Sequence, residues 1–232
     1  MKDAIIALDF PTREETIAFI DRFRDEKEKP FVKIGMELYY AEGPEIVREL
    51  KRRGHKVFLD LKLHDIPTTV KKAMKVLSTM DVDIVNLHAA GGIKMMREAL
   101  EGLTRPDGGR PLLIAVTQLT STDSDTLHNE LLIPATMEET IKTYARNAKE
   151  AGLDGVVCSP LEAGMVKETC GKDFITVTPG IRFADGKTDD QVRITTPERA
   201  AELGADYIVV GRPVTQAPDP VEAYARCRTN LS

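Results

Sequence analysis

The sequence predicts an α/β fold, a (β/α)8 TIM barrel with its active site at the C-terminal ends of the strands. Eight short β-branched or aliphatic runs alternate with longer segments carrying apolar residues at helical spacing, the pattern of repeated βα units. The runs start roughly 20 to 45 residues apart, about one βα unit each. No low-complexity linker or composition shift interrupts the 232 residues, so a single barrel domain over 1–232 accounts for the chain better than two half-sized open sheets.

The strands are expected at 4–9, 31–34, 57–61, 83–88, 112–117, 155–159, 174–178 and 207–211. Helix starts stand between them. Thr12 precedes Arg13, Glu14 and Glu15, Thr136 precedes Met137 and Glu138, and Thr196 precedes Pro197 and Glu198. A hydroxyl cap followed by acids or a first-turn proline satisfies or replaces the free N–H groups of a first turn. Gly54, Gly152 and Gly204 follow helical segments and lead into strands, as glycines just past a helix end do. Two polar, irregular segments remain, 120–134 after strand five and 183–194 after strand seven, and loops of that length on a rigid scaffold tend to carry function.

Composition removes several classes of partner. Lys and Arg total 32 against 37 Asp and Glu, a net charge of −5 without a long like-charge block, so nucleic acid is not an expected partner. The longest stretch free of Asp, Glu, Lys and Arg, 111–122, has 12 residues, whereas a membrane span needs about 20. The first residues, Met1, Lys2 and Asp3, run straight into a strand-like segment with no signal-peptide pattern, which leaves a cytoplasmic location as the expectation. Cys158, Cys170 and Cys227 are odd in number and lack ligand spacing, so reduced, packed thiols are expected rather than disulfides or zinc.

Barrel chemistry sits at the C-terminal strand ends, and here those ends are rich in charge. Strand one ends in Asp9, strand two carries Lys33, and strand three continues Asp60-Leu61-Lys62-Leu63-His64-Asp65. The period of two places Asp60 and Lys62 on one face. One charge at a strand end is commonly a structural ion pair. A cluster of alternating Asp and Lys at three strand ends is a poor way to gain stability, because each buried charge costs several kcal/mol unless paired, and it points to function. Strand seven ends Thr178-Pro179-Gly180-Ile181-Arg182 and strand eight ends Gly211-Arg212, the two places where barrels often bind phosphate. Arg182 or Arg212 could complete such a site; the alternative is helix-cap glycines and exposed arginines. His64 and His88 are open to an acid–base role or a structural one. Gly91-Gly92 reads as a helix start.

The segment Asp60-Leu-Lys-Leu-His-Asp65-Ile-Pro-Thr-Thr69 closely resembles the signature of the orotidine 5'-phosphate decarboxylase family, with its Asp-x-Lys-x-x-Asp core. The resemblance extends through Leu8-Asp9, Val32-Lys33-Ile34-Gly35, Val116 to Ser121, Thr178 to Arg182, Asp190-Gln191-Val192-Arg193 and Gly211-Arg212, in the manner of the shorter bacterial form. It implies a cofactor-independent, metal-free decarboxylase that converts orotidine 5'-phosphate to UMP and carbon dioxide, the last step of de novo UMP biosynthesis. It also implies that Lys62 is the proton donor within an array of Lys33, Asp60, Lys62 and Asp65, and that substrate contacts run along Asp60, Leu61, Lys62, Leu63, His64, Asp65, Ile66, Pro67, Thr68 and Thr69. Asp9 and Lys33 would meet the ribose, Thr120 and Ser121 the pyrimidine, and Pro179, Arg182, Gln191, Gly211 and Arg212 the phosphate end, with the 183–191 loop closing over it. A homodimer is implied, with Asp65, Ile66 and Thr69 reaching the neighbouring active site.

Two other readings stand beside this one. A metal-dependent sugar-phosphate decarboxylase or aldolase of the same superfamily shares Asp-x-Lys-x-x-Asp, but its chemistry would need a divalent ion at the carboxylates. A non-catalytic phosphate-binding barrel could keep Gly211 and Arg212 without the four array residues. The neighbours His64, Ile66 and Pro67, with Leu119-Thr120-Ser121, favour the nucleotide reading.

Overall fold

The computed structural model of the chain describes residues 3–183 and 195–229. Its strands are β1 (Asp3–Ala7), β2 (Phe31–Ile34), β3 (Val57–Leu63), β4 (Ile84–His88), β5 (Leu112–Val116), β6 (Gly155–Val157), β7 (Ile175–Thr178) and β8 (Tyr207–Val210). Each runs parallel to its sequence neighbours, and β1 pairs with β8, Asp3 opposite Tyr207 and Ile6 opposite Val210, so the sheet closes into a (β/α)8 barrel. The expected strands are all present. Their ends shift by one or two residues, and β3 runs on to Leu63 instead of stopping at Leu61.

The outer layer holds α1 (Arg13–Ile20), α2 (Met36–Glu42), α3 (Pro44–Arg52), α4 (Pro67–Leu77), α5 (Gly92–Leu103), α6 (Met137–Glu150), α7 (Ala163–Cys170), α8 (Pro197–Glu202), α9 (Arg212–Thr215) and α10 (Pro220–Thr229). The threonine caps form as expected. The Thr12 and Thr196 hydroxyls each accept from a backbone N–H three residues on, at 3.3 Å, and Thr136 makes a reciprocal capping box with Glu139. Gly54, Gly152 and Gly204 take φ of 87°, 89° and 94°, the left-handed turn that ends a helix without a Cβ clash. Gly91-Gly92 is a helix start, as expected. The irregular 120–134 segment contains one turn of π-helix, Thr126–Glu130, that buries Leu127. Beyond Phe183, the 183–194 segment falls outside the described residues.

Strand alternation divides the core in two. One face of each strand packs outward against the helices, with Ile6, Val32, Leu59, Val85 and Ile208 in that layer. The other face fills the barrel with Ile5, Ala7, Phe31, Phe58, Ile84, Ile114, Val177 and Val209. This apolar plug is the floor of everything above it. One step of two residues further along the inward face stand Asp9 after Ala7, Lys33 after Phe31, Asp60 after Phe58 and Asn86 after Ile84.

At the opposite end, three aspartates tie alternate strands together. Asp83, Asp154 and Asp206 each precede an even strand, and each accepts a backbone N–H from the first or second residue of the strand before, Val57, Leu113 and Thr176, at 2.7 to 2.9 Å. Each also pairs with a cation, Lys51, Arg110 and Lys167 respectively. Hydrogen bonds to an ionised group are stronger than neutral ones, and removing one partner leaves the other unsatisfied. Asp154→Ala is therefore expected to lower stability by roughly 2 to 3 kcal/mol, a fall in melting temperature of about 5 to 10 °C, checked by thermal unfolding followed by circular dichroism.

Candidate active site

The charged array is a chain of ion pairs lying on the plug. Lys33 Nζ donates to Asp9 Oδ1 at 3.0 Å and stands 3.4 Å from Asp60 Oδ2. Lys62 Nζ donates to Asp60 Oδ1 at 2.7 Å. Asp60 thus has an ammonium on each oxygen while only 8% exposed, and Lys33 is 9% exposed. Burial opposes ionisation of both groups. Two unit charges about 3 Å apart attract by about 5 kcal/mol at an effective dielectric constant near 20, comparable to the several kcal/mol each ion loses on leaving water. Attraction wins. Against burial, Lys33 and Lys62 hold the Asp60 carboxyl below the usual carboxylate range. Against burial too, Asp60 and Asp9 hold Lys33 above the usual lysine value. Gly35 gives the array room, since a Cβ there would stand 3.2 Å from Lys33 Nζ and 3.4 Å from Asp9 Oδ1.

Lys62 joins Asp60 as expected, but not through a regular pleat. Between Leu59 and Leu63, β3 spends four residues where β4 spends two, from Val85 to Leu87. Within this bulge Lys62 has φ of 52°, a left-handed conformation that costs a non-glycine residue about 1 to 2 kcal/mol. The arch is fixed by the Lys62 N–H, which donates to Asn86 Oδ1 at 2.8 Å, while Asn86 Nδ2 donates to Asp60 Oδ1 at 2.7 Å. Bulges beside a site re-aim a side chain, and this one turns Lys62 back over Asp60.

A cavity of about 290 Å³ opens above the array. Lys33, Asp60 and Lys62 form its charged wall, Phe58, Val116, Val157 and Val209 its apolar one, and Gln118, Leu119, Thr120, Ser121 and Pro179 the rest with Cys158. Lys33, Asp60, Lys62, Thr120, Ser121 and Pro179 are thus brought together. Asp9 touches the group through Lys33, and Gly211 lies beside Asp9, with a Cβ there 4.0 Å from Asp9 Oδ2. Arg212 opens α9, directly after Gly211. The Arg182 N–H donates to Thr195 O at 2.9 Å, and Ile181 and Thr195 form a parallel bridge. Gln191 lies outside the described residues.

The remainder of the signature turns away. Leu61 is buried in the outer core layer and Leu63 packs against it. His64, Asp65, Thr68 and Thr69 are exposed, Pro67 begins α4, and Ile66 is 67% exposed. Asp65 Oδ1 accepts from the Ile66 N–H at 2.6 Å and stands outside this chain's array. The His64 and His88 rings lie 5.7 Å apart. Burial, then His64 and Lys62, push His88 below the usual histidine value, so it is neutral near pH 7. Cys158, Cys170 and Cys227 are free and buried, and burial raises all three thiols.

Residues 3–227 match the model of the Orotidine 5'-phosphate decarboxylase / HUMPS family. The chain belongs to the orotidine 5'-phosphate decarboxylase / HUMPS family. The family's curated members include an orotidine 5'-phosphate decarboxylase of Bacillus cytotoxicus, 57% identical over 226 residues, which is 96% of this chain and 94% of that one. One from Bacillus mycoides is 56% identical over 223 residues, 95% and 93% of the two chains. Among solved structures, orotidine 5'-phosphate decarboxylase from Lactobacillus acidophilus superposes with a TM-score of 0.88 at 39% identity over all of both chains. An uncharacterized conserved protein from Geobacillus kaustophilus gives 0.87 at 52% identity, over 99% and 100%. The whole array lies inside the stretch matched to the family.

Besides the apolar lining, two polar contributors were not among the expected site residues. Asn86 is the larger, and its signal was a carboxamide within the apolar run Ile84-Val85-Asn86-Leu87. Gln118 precedes the expected Thr120 and Ser121 and lines the same cavity.

The electrostatics predict how stability varies with pH. Asp60, held low when folded, contributes stability that is present above its unfolded value of about 3.9 and lost as pH falls through the folded value. Lys33, held high, contributes below about 10.4 and loses its share as pH rises through its folded value. Asp60→Asn leaves two ammonium groups facing a neutral amide and is expected to cost roughly 3 kcal/mol at pH 7. In urea unfolding the gap to wild type is expected to narrow as pH drops below 4.

Proposed function

We propose that the chain decarboxylates orotidine 5'-phosphate to UMP and carbon dioxide without a metal or organic cofactor. The observation that carries this reading is the Lys62 ammonium, pinned to Asp60 at 2.7 Å in the wall of the cavity. In the reaction the bond from C6 to the carboxylate breaks, its electron pair stays on C6, and carbon dioxide leaves. A fixed cation beside C6 stabilises the developing charge without reorganising. Lys62 then gives C6 a proton and regains one from solvent. Both Asp60 oxygens already carry ammonium partners, so a divalent ion there would have to displace them, which supports the metal-free course over the metal-dependent alternative.

The other roles follow position. Asp9 and Lys33 bind the ribose, Thr120 and Ser121 the base, and Arg182, Gln191, Gly211 and Arg212, beside Pro179, the phosphate. Phosphate binding, remote from C6, can help organise the array and drive closure of the 183–191 loop. One (β/α)8 domain spanning 1–232 acts as a homodimer, with Asp65, Ile66 and Thr69 completing the partner's site. The outward position of Asp65 and the exposure of Ile66 support that arrangement. Three buried free thiols fit a reducing cytoplasm.

Following the absorbance change of orotidine 5'-phosphate tests the reading. Wild type is expected to turn over, and Lys62→Ala to lose at least about 1,000-fold in kcat/KM while keeping its fold, since it forfeits both charge stabilisation and proton transfer. An inert wild type, or a fully active Lys62→Ala, would overturn the proposal.

A further inference from the structure

Asn86 is 1% exposed in the middle of β4, with aliphatic neighbours on both sides. A buried carboxamide costs a few kcal/mol unless its donors and acceptor are used. Backbone groups could have satisfied it. Instead both of its ends are spent on the reacting pair. Oδ1 accepts the Lys62 N–H at 2.8 Å, and Nδ2 donates at 2.7 Å to Asp60 Oδ1, the same oxygen that receives Lys62 Nζ at 2.7 Å. The orientation of the amide follows from its partners, because the reverse would set Oδ1 against a carboxylate and an NH2 against an N–H. A closed ring results: Lys62 backbone, Asn86 amide, Asp60 carboxylate, Lys62 ammonium. It clasps the one stretch of β3 where the register slips and φ turns positive. Asn86 itself is absent from the cavity lining.

We propose that Asn86 is a positioning residue, whose carboxamide holds the Lys62 arch and the Asp60 side chain so that the ammonium is aimed into the cavity. This rests on the reading of Lys62 as proton donor. A purely structural asparagine would matter to folding alone. A positioning one must affect the chemical step selectively, because a loosened ammonium still binds substrate but no longer meets C6 in the right geometry.

Two substitutions separate these roles. Asn86→Ala removes both hydrogen bonds and is expected to lower kcat about 10- to 100-fold, the worth of the bond to the charged Asp60 with that to the neutral Lys62 N–H lost beside it, with KM changed less than about threefold. Asn86→Asp keeps the shape. Its protonated carboxyl can donate to Asp60 and accept from the Lys62 N–H, whereas its ionised form places a second anion against Asp60. Burial and that neighbour hold the new carboxyl protonated above the usual range, so kcat is expected to be near wild type in acid and to fall as pH rises. Lys33, Asp60, Lys62 and His88 surround the position in both proteins, so only a descending limb that wild type lacks counts. A folded Asn86→Asp with the wild-type pH profile overturns the inference, as does Asn86→Ala with wild-type kcat or with a loss confined to KM. Wild type and Lys62→Ala run alongside. If wild type is inert or Lys62→Ala is active, the functional reading itself fails; if they behave as expected while the Asn86 variants match wild type, only the positioning role does.

Discussion

A carboxylate sealed over an apolar plug stays ionised only if cations stand close on both of its oxygens, and the Asp60 site meets that demand with Lys33 on one oxygen and Lys62 on the other. Much of the upper half of the barrel follows. Lys33 must itself be balanced, which Asp9 does from the end of β1. Lys62 must turn back toward Asp60, which requires the bulge in β3, and the bulge needs an acceptor for its N–H, which Asn86 provides. The array is the sort of buried ionic network that gains little stability over apolar packing. Its worth under the proposed chemistry is that an ammonium is fixed before substrate arrives.

The two ends of the barrel divide the work. At the lower end, Asp83, Asp154 and Asp206 tie strand starts to backbone and to cations. Between the ends lies the plug of Phe31, Phe58, Ile84, Ile114 and their neighbours. Stability concentrated below and in the middle lets the upper rim carry a left-handed lysine and four ionised groups, in keeping with the placement of barrel chemistry at the C-terminal strand ends.

Much of this was legible in the residues. Strand and helix alternation, the caps at Thr12, Thr136 and Thr196, and the glycine stops are local signals, and local signals survive folding. Asp9, Lys33, Asp60 and Lys62 stood out because charges at strand ends are conspicuous. The bulge did not, because a period-two reading assumes a regular pleat, and nothing in Leu61-Lys62-Leu63 announces φ of 52°. Asn86 was passed over for a related reason: its meaning lies across the sheet, in partners 24 and 26 residues away. The proposed reach of Asp65 and Ile66 into a partner's site likewise depends on what would stand opposite them, which a single chain does not contain.

Under the proposed chemistry, charges fixed by folding suffice for decarboxylation with no metal. The decisive experiment strips the purified enzyme with EDTA, removes the chelator and follows orotidine 5'-phosphate turnover in metal-free buffer. The expected result is the same kcat/KM as before treatment and no gain on adding magnesium, zinc or manganese. Activity that disappears on chelation and returns with a divalent ion would contradict it.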